Sequence, residues 1–163
     1  MNNTHVITLV KIHNKTGATV TYFTNKDFSG ALAPQSKYPA QIENGEYDLF
    51  EHEGPAGDNA GSCGAVVYSV TNKDGKASHW MLSWSNPTGE NYKVFTEITG
   101  QGHYKPNPND PIWHNVHAEL SKSGTTSSSD WNGCHSSMTS IRSNDVPNRV
   151  DVDATVTLAT AKA

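Results

Sequence analysis

Residue types that can move protons, hold metals or bind flat ligands cluster in three places along the 163-residue chain. His114-Asn115-Val116-His117 sets two imidazoles three residues apart, about one helical turn. Such a pair suits a metal when a third ligand arrives from elsewhere. The spacing identifies no third ligand, so two solvated histidines on the polar face of an amphipathic helix are expected, with no metal. Glu51-His52-Glu53 places both carboxylates on one face of a strand end and His52 on the other. Paired carboxylates suit acid–base chemistry, yet nothing nearby encloses a cleft, and exposed strand-end charge is the expectation. The chain has no Gly-x-Ser-x-Gly elbow, nucleotide-binding loop or zinc-type cysteine pair. No catalytic residue is assigned, and neither enzymatic activity nor a cofactor is expected.

The third place is aromatic. Trp84-Ser85-Asn86-Pro87-Thr88-Gly89 ends a strand in a turn, and Tyr92, Tyr104 and Trp131 also sit beside Gly, Pro or Asn. Aromatics at loop tips bind sugar rings or lipid headgroups, because a flat apolar face with a polar handle suits an amphipathic ligand. The alternative is that they fold inward and close the end of the core. Trp80 and Trp131 are expected inward; for Trp84 and Tyr92 both readings stand.

The elements that must hold these residues are mostly strands. Sixteen Ser, sixteen Thr and fifteen Asn replace much of the aliphatic content, a bias toward turns and half-exposed strands. Fourteen aromatics and a net charge of only −4 argue against disorder. Twelve basic residues against sixteen acidic ones, without a basic cluster, exclude nucleic acid as a partner. No run approaches the ~18–20 apolar residues of a membrane-spanning helix, and Met1 to His5 lacks the pattern of a signal peptide. The expected compartment is therefore the cytoplasm, with a processed secreted form as the alternative. Cys63 and Cys134 are expected as two reduced thiols there. Asn2-Asn3-Thr4 and Asn14-Lys15-Thr16 match the glycosylation pattern, which matters only on secretion.

His5 to His13 and Ala18 to Thr24 alternate around Asn14-Lys15-Thr16-Gly17 and read as a hairpin. Residues 25–45 read as a surface connection with a short edge strand, and 53–61 as a Gly-rich loop. Gly64 to Thr71 and His79 to Trp84, joined by Asn72-Lys73-Asp74-Gly75, should pair at the centre of a sheet. Tyr92 to Ile98 is a further strand. A helix should start at Asp110-Pro111 and end before Gly124, burying Ile112, Val116 and Leu120 with Trp113 beside them. Ser123 to Ser129 reads as a polar loop; Met138 to Arg142 and Arg149 to Thr160 supply the last strands. Eight or nine strands and one helix give a mostly β fold, a single sandwich domain over residues 1–163.

Trp80-Met81-Leu82-Ser83-Trp84-Ser85-Asn86-Pro87, Val94 to Ile98, Gly102-His103-Tyr104 and Asp130-Trp131-Asn132-Gly133-Cys134 resemble, in order and spacing, the jasmonate-induced proteins of plants. More distantly, Val10 to Gly17, Glu53-Gly54-Pro55-Ala56-Gly57 leading into Gly64 to Tyr68, and Trp84-Ser85-Asn86-Pro87 resemble the actinoporin-type cytolysins. That resemblance implies a β-sandwich with one or two short flanking helices and headgroup contacts at Ser85 and Pro87, with Tyr92 a looser match. Only four residues precede the first strand, so the pore-making helix of that family is not expected. Together these readings make the chain a non-catalytic stress or defence protein that binds a glycan or phospholipid headgroup. The expected ligand contacts are Trp84, Ser85, Pro87, Tyr92 and Tyr104. Peripheral membrane contact and a homo-oligomer are compatible with that role, and a pore-forming or membrane-damaging toxin is the alternative.

Overall fold

The structure, a computed structural model, describes residues 5–57 and 60–159. The Asn2-Asn3-Thr4 match, Asp58 and Asn59 of the Gly-rich loop, and Thr160 at the last strand's end lie outside them. The chain runs β1 (His5–Lys15), β2 (Val20–Ser29), β3 (Ala31–Leu32), β4 (Gln41–Ile42), β5 (Tyr47–Pro55), β6 (Ser62–Thr71), β7 (Ala77–Asn86), β8 (Lys93–Gly100), α1 (Ile112–Lys122), β9 (Thr126–Trp131), β10 (Cys134–Arg142) and β11 (Arg149–Leu158). Two sheets form, in the orders β3-β5-β1-β11-β10-β9 and β4-β2-β6-β7-β8. Among the described residues only β1 and β11 pair in parallel; the other pairs are antiparallel. This is the β-sandwich that the alternating strands call for.

Period-two patterning builds the core between the sheets. Val10 and Ile12 of β1 and Val150, Val152, Ala154 and Val156 of β11 face Val66, Tyr68, Trp80, Leu82 and Trp84 of the second sheet. β6 and β7 are central as expected and buried on both faces. Their outer face, at Ala65, Val67 and Met81, is covered by Trp113 and Val116 of α1 and by Tyr104. The helix start is the one expected: the Asp110 carboxylate accepts from the Ile112 N–H at 3.0 Å, and Pro111 supplies a helical φ of −58°. Trp113, Val116 and Leu120 are buried, with Ile112 partly so.

Three expectations are corrected. β1 and β2 do not form a hairpin; β1 pairs with β5 and β11, whereas β2 pairs with β4 and β6. The Asn14–Gly17 turn is an arch between sheets. Buried Asn14 holds it, donating from Nδ2 to Ala18 O (2.7 Å) and Ile42 O (2.8 Å) and accepting from the Thr16 N–H and Oγ1–H. Its amide is thus consumed by the fold.

Residues 123–129 are not simply a loop, because β9 begins at Thr126. Its apolar content is slight, and hydrogen bonds define it. On the neighbouring β8 the outward N–H groups of Val94, Thr96 and Ile98 donate to Gly124 O, Ser127 Oγ and Ser129 Oγ at 2.9–3.1 Å, joining the two sheets along that edge. Finally, β2 extends to Ser29, so the surface connection is shorter than 25–45 and carries two brief edge strands, β3 and β4.

Candidate functional site

Strand alternation lays out a polar site where β2, β6 and β7 end beside α1. Ser29, Cys63, Ser85 and Lys93 are successive partners across β2, β6, β7 and β8, one rung of the sheet's outer face. The adjacent pair, Ser62 and Asn86, points the other way, between the sheets. Over the outer rung, His117 and Ser121 of α1 form a second wall one turn apart, Ser121 Oγ donating to His117 O at 2.9 Å. The result is a cavity of about 550 Å3 in which Ser29, Cys63 and Ser85 face His117 and Ser121, with Phe28 and Pro87 as apolar sides.

Among the described residues no acidic side chain lines this cavity. The Cys63 thiol is pushed up to about 11 by burial, with the neighbouring Ser85 hydroxyl pulling weakly the other way, so it stands as an un-ionised thiol at neutral pH. Three hydroxyls and one imidazole offer donors and acceptors, and the Phe28 ring lies 4.9 Å, centroid to centroid, from His117. A polar, uncharged or zwitterionic group suits such a lining, a cationic portion being able to sit on the aromatic face.

Behind the cavity a buried polar strap joins the sheets. His52 Nε2 lies 2.9 Å from Asp27 Oδ1 and Nδ1 lies 2.8 Å from Ser62 Oγ. With Nε2–H donating to the carboxylate, Nδ1 accepts from the Ser62 hydroxyl, which itself accepts from Thr8 Oγ1 at 2.8 Å. Asn86 Nδ2 completes the strap by donating to Ile7 O at 3.0 Å. Asp, His and Ser are the residues of a nucleophilic triad, but Ser62 is fully buried and no reacting atom can reach its hydroxyl. The group fastens β2, β6 and β7 to β1 and β5. Close backbone contact seals the same end: a Cβ on Gly54 would lie 2.1 Å from Gly61 O, and one on Gly61 2.3 Å from Asn86 O.

Of the five expected ligand contacts, the structure brings Ser85 and Pro87 into one cavity and leaves three outside it. Trp84 is 1% exposed and packs inward against Phe50 and His52, at 5.3 and 5.1 Å. Tyr104, also 1% exposed, lies under α1 with its hydroxyl donating to Glu97 Oε1 at 2.8 Å. Tyr92 is half-buried at the core's margin, its hydroxyl accepting from the Arg142 N–H. Three further expectations change or find their place. His52, expected on the face opposite the Glu51 and Glu53 carboxylates, lies there and is buried beside Phe50 on the inward side. Trp131 is 39% exposed rather than folded inward, lying across Gly100. His114 and His117 are exposed on α1, and no trio of His, Cys, Asp or Glu close enough to hold a metal occurs among the described residues. Both cysteines are free.

Sequence reasoning did not place Phe28, Ser29, Cys63, His117 and Ser121 at the site. One signal was available: the Asn72–Gly75 turn fixes the β6–β7 register, and counting back from it sets Cys63 opposite Ser85.

A 23 kDa jasmonate-induced protein of Hordeum vulgare is 34% identical over 122 residues, 74% of this chain and 56% of the relative. A jasmonate-induced protein homolog of Atriplex canescens is 36% identical over 80 residues, 49% of this chain and 42% of the relative. The chain thus spans about half the length of these curated relatives. Among solved structures, the lipid binding protein Nakanori superposes with a TM-score of 0.72 at 23% identity, covering 93% of this chain and 70% of that one. IP-1A from Alcaligenes faecalis shares the fold more loosely, with a TM-score of 0.53 at 8% identity over 96% and 94% of the two chains. The family described as Nakanori-like protein matches residues 2–151, and the chain belongs to that family.

Proposed function

We propose that this chain is a non-catalytic, stress-related protein that binds a phospholipid headgroup in the cavity between Ser29, Cys63, Ser85 and Pro87 on the sheet and His117 and Ser121 on α1. The observation that carries the reading is the composition of that cavity: hydroxyls and an imidazole around an aromatic face, with no acidic group on the lining among the described residues. A zwitterionic headgroup has one part for each wall, a phosphodiester for the hydroxyls and a quaternary ammonium for Phe28. Two likenesses support it. The fold neighbour Nakanori is described as lipid binding, and the relatives with sequence identity are named for induction by a stress hormone, jasmonate.

Co-sedimentation with phosphatidylcholine vesicles, beside a glycan array, tests the proposal. Wild-type protein is expected to pellet with the vesicles. Ser85→Leu, which fills the cavity from a half-buried position on its wall, is expected to weaken binding about tenfold or more with little change in melting temperature. Binding to glycans alone, or equal vesicle binding by Ser85→Leu, overturns the headgroup assignment. Dye release from the vesicles would favour a membrane-damaging role instead.

A further inference from the structure

On the far side of the Phe28–His117 pair lies a second cavity of about 370 Å3, bounded by Lys26 and Phe28 of β2, by Asp110 ahead of the helix, and by Trp113, His114 and His117 of α1. Phe28 and His117 line both cavities, so the two form one groove divided by that pair of rings. Their linings differ in kind. The first holds hydroxyls and a thiol; the second gathers three basic side chains from two separate elements. Lys26 Nζ donates to Pro108 O at 2.9 Å. That contact fixes the ammonium at the cavity wall and leaves two of its three donors and its whole charge available. His114 and His117, one turn apart on α1, add ring N–H donors from the opposite side. Asp110 is the one acid on the lining, and its Oδ1 accepts from the Ile112 N–H as the helix cap.

We propose that this second cavity is a phosphate-binding subsite, in which Lys26, His114 and His117 hold a phosphomonoester group. Two walls bring an ammonium and two imidazoles to one space large enough for a phosphate, and phosphate oxygens accept charge-assisted hydrogen bonds from both donor types. Phe28 and Trp113 keep the space partly apolar, which strengthens each such bond relative to open water. The phosphate can belong to the headgroup of an anionic lipid or to a soluble phosphomonoester. The assignment stands on this cavity's own residues and does not require that the first cavity bind phosphatidylcholine.

Lys26→Met, Asp110→Asn and, as a charge-matched control on a distant exposed loop, Lys37→Met provide the test. Each is titrated with phosphatidylcholine vesicles carrying a minority of phosphatidic acid, with plain phosphatidylcholine vesicles, and with inorganic phosphate followed by the NMR shifts of the histidine rings. Phosphatidic acid is expected to tighten binding of the wild type and of Lys37→Met, and Lys26→Met is expected to lose that increment, about tenfold for one charge-assisted bond. Lys26→Met should still bind plain phosphatidylcholine vesicles as the wild type does. Asp110→Asn keeps a good helix cap while removing the opposing charge, and is expected to bind the phosphate group more tightly. Shifts at His114 and His117 with inorganic phosphate assign a soluble source, and a response to phosphatidic acid alone assigns the lipid. Equal losses in Lys26→Met and Lys37→Met, or no response to either phosphate source, overturn the subsite. If plain phosphatidylcholine vesicles bind no variant, the headgroup reading fails while the inorganic phosphate arm still decides this one.

Discussion

Replacing His52 by Ala should be among the most damaging single changes in this end of the sandwich, and its cost can be built from the contacts. The imidazole is fully buried and packed edge-on against Trp84 at 5.1 Å. Removing it leaves a hole worth about 2–3 kcal/mol by analogy with large-to-small core changes. The Ser62 hydroxyl loses its ring partner but stays within 3.1 Å of the carbonyl of residue 52, so its loss is at the low end, about 1 kcal/mol. Asp27, whose side chain is 39% exposed, regains water and contributes ~0–1 kcal/mol at most. The total is about 3–5 kcal/mol, a large share of the ~5–15 kcal/mol expected for a domain, and roughly 10 °C in melting temperature at this chain length. Urea unfolding of the wild type, His52→Ala and Asp27→Asn measures it, the last expected to cost under about 1 kcal/mol. Equal costs for the two variants, or a His52→Ala cost below about 1 kcal/mol, would refute the strap as described.

Trp84→Ala should destabilise by about 3–5 kcal/mol as a truncated core aromatic, while Trp84→Phe folds and keeps vesicle binding; loss of binding in a stable Trp84→Phe would return Trp84 to the site. With its thiol near 11, Cys63 should be ionised in roughly one molecule per thousand at pH 8. Alkylation followed by mass spectrometry should then be slow in the folded protein, fast after unfolding and steeply faster with rising pH; a rate matching an unfolded cysteine contradicts this. Burial first, and the His103 charge second, hold His79 below its ordinary 6.5. The unfolded chain therefore takes up that proton more readily, and stability is lost as pH falls below about 6.5. Unfolding curves across pH should show a flatter acid limb for His79→Phe, and identical slopes would exclude His79 as the cause.

Much of the fold was legible where local pattern and tertiary environment agree. The central β6–β7 pair, α1 and its buried stripe, and the inward residues of β11 all follow from periodicity and turn chemistry. Three failures have physical reasons. An Asn-Lys-Thr-Gly turn serves a hairpin or an arch equally well, and what decides is whether Asn14 is buried against Ile42, a contact from 28 residues away. β9 has almost no apolar alternation, because its inward serines are spent as acceptors for β8. Trp131, expected inward, shares the side of Ser127 and Ser129 but ends β9 over Gly100, the last residue of β8, and so stays 39% exposed. The candidate site was half legible: Ser85 and Pro87 lie on the strand end the motif marked. Phe28, His117 and Ser121 come from distant segments that only the packing of α1 on the sheet brings near.

The serine row along β8 has a consequence for assembly. An edge strand normally offers a ladder of free N–H groups that another chain can copy, the usual route to strand-by-strand aggregation. On β8 the outward donors at Val94, Thr96 and Ile98 are already taken by Gly124 and by the Ser127 and Ser129 hydroxyls. That edge is closed to a recruiting strand without covering it by a full partner. Strand pairing through β8 is blocked in this way, and a Ser127→Ala or Ser129→Ala change would reopen that edge one rung at a time.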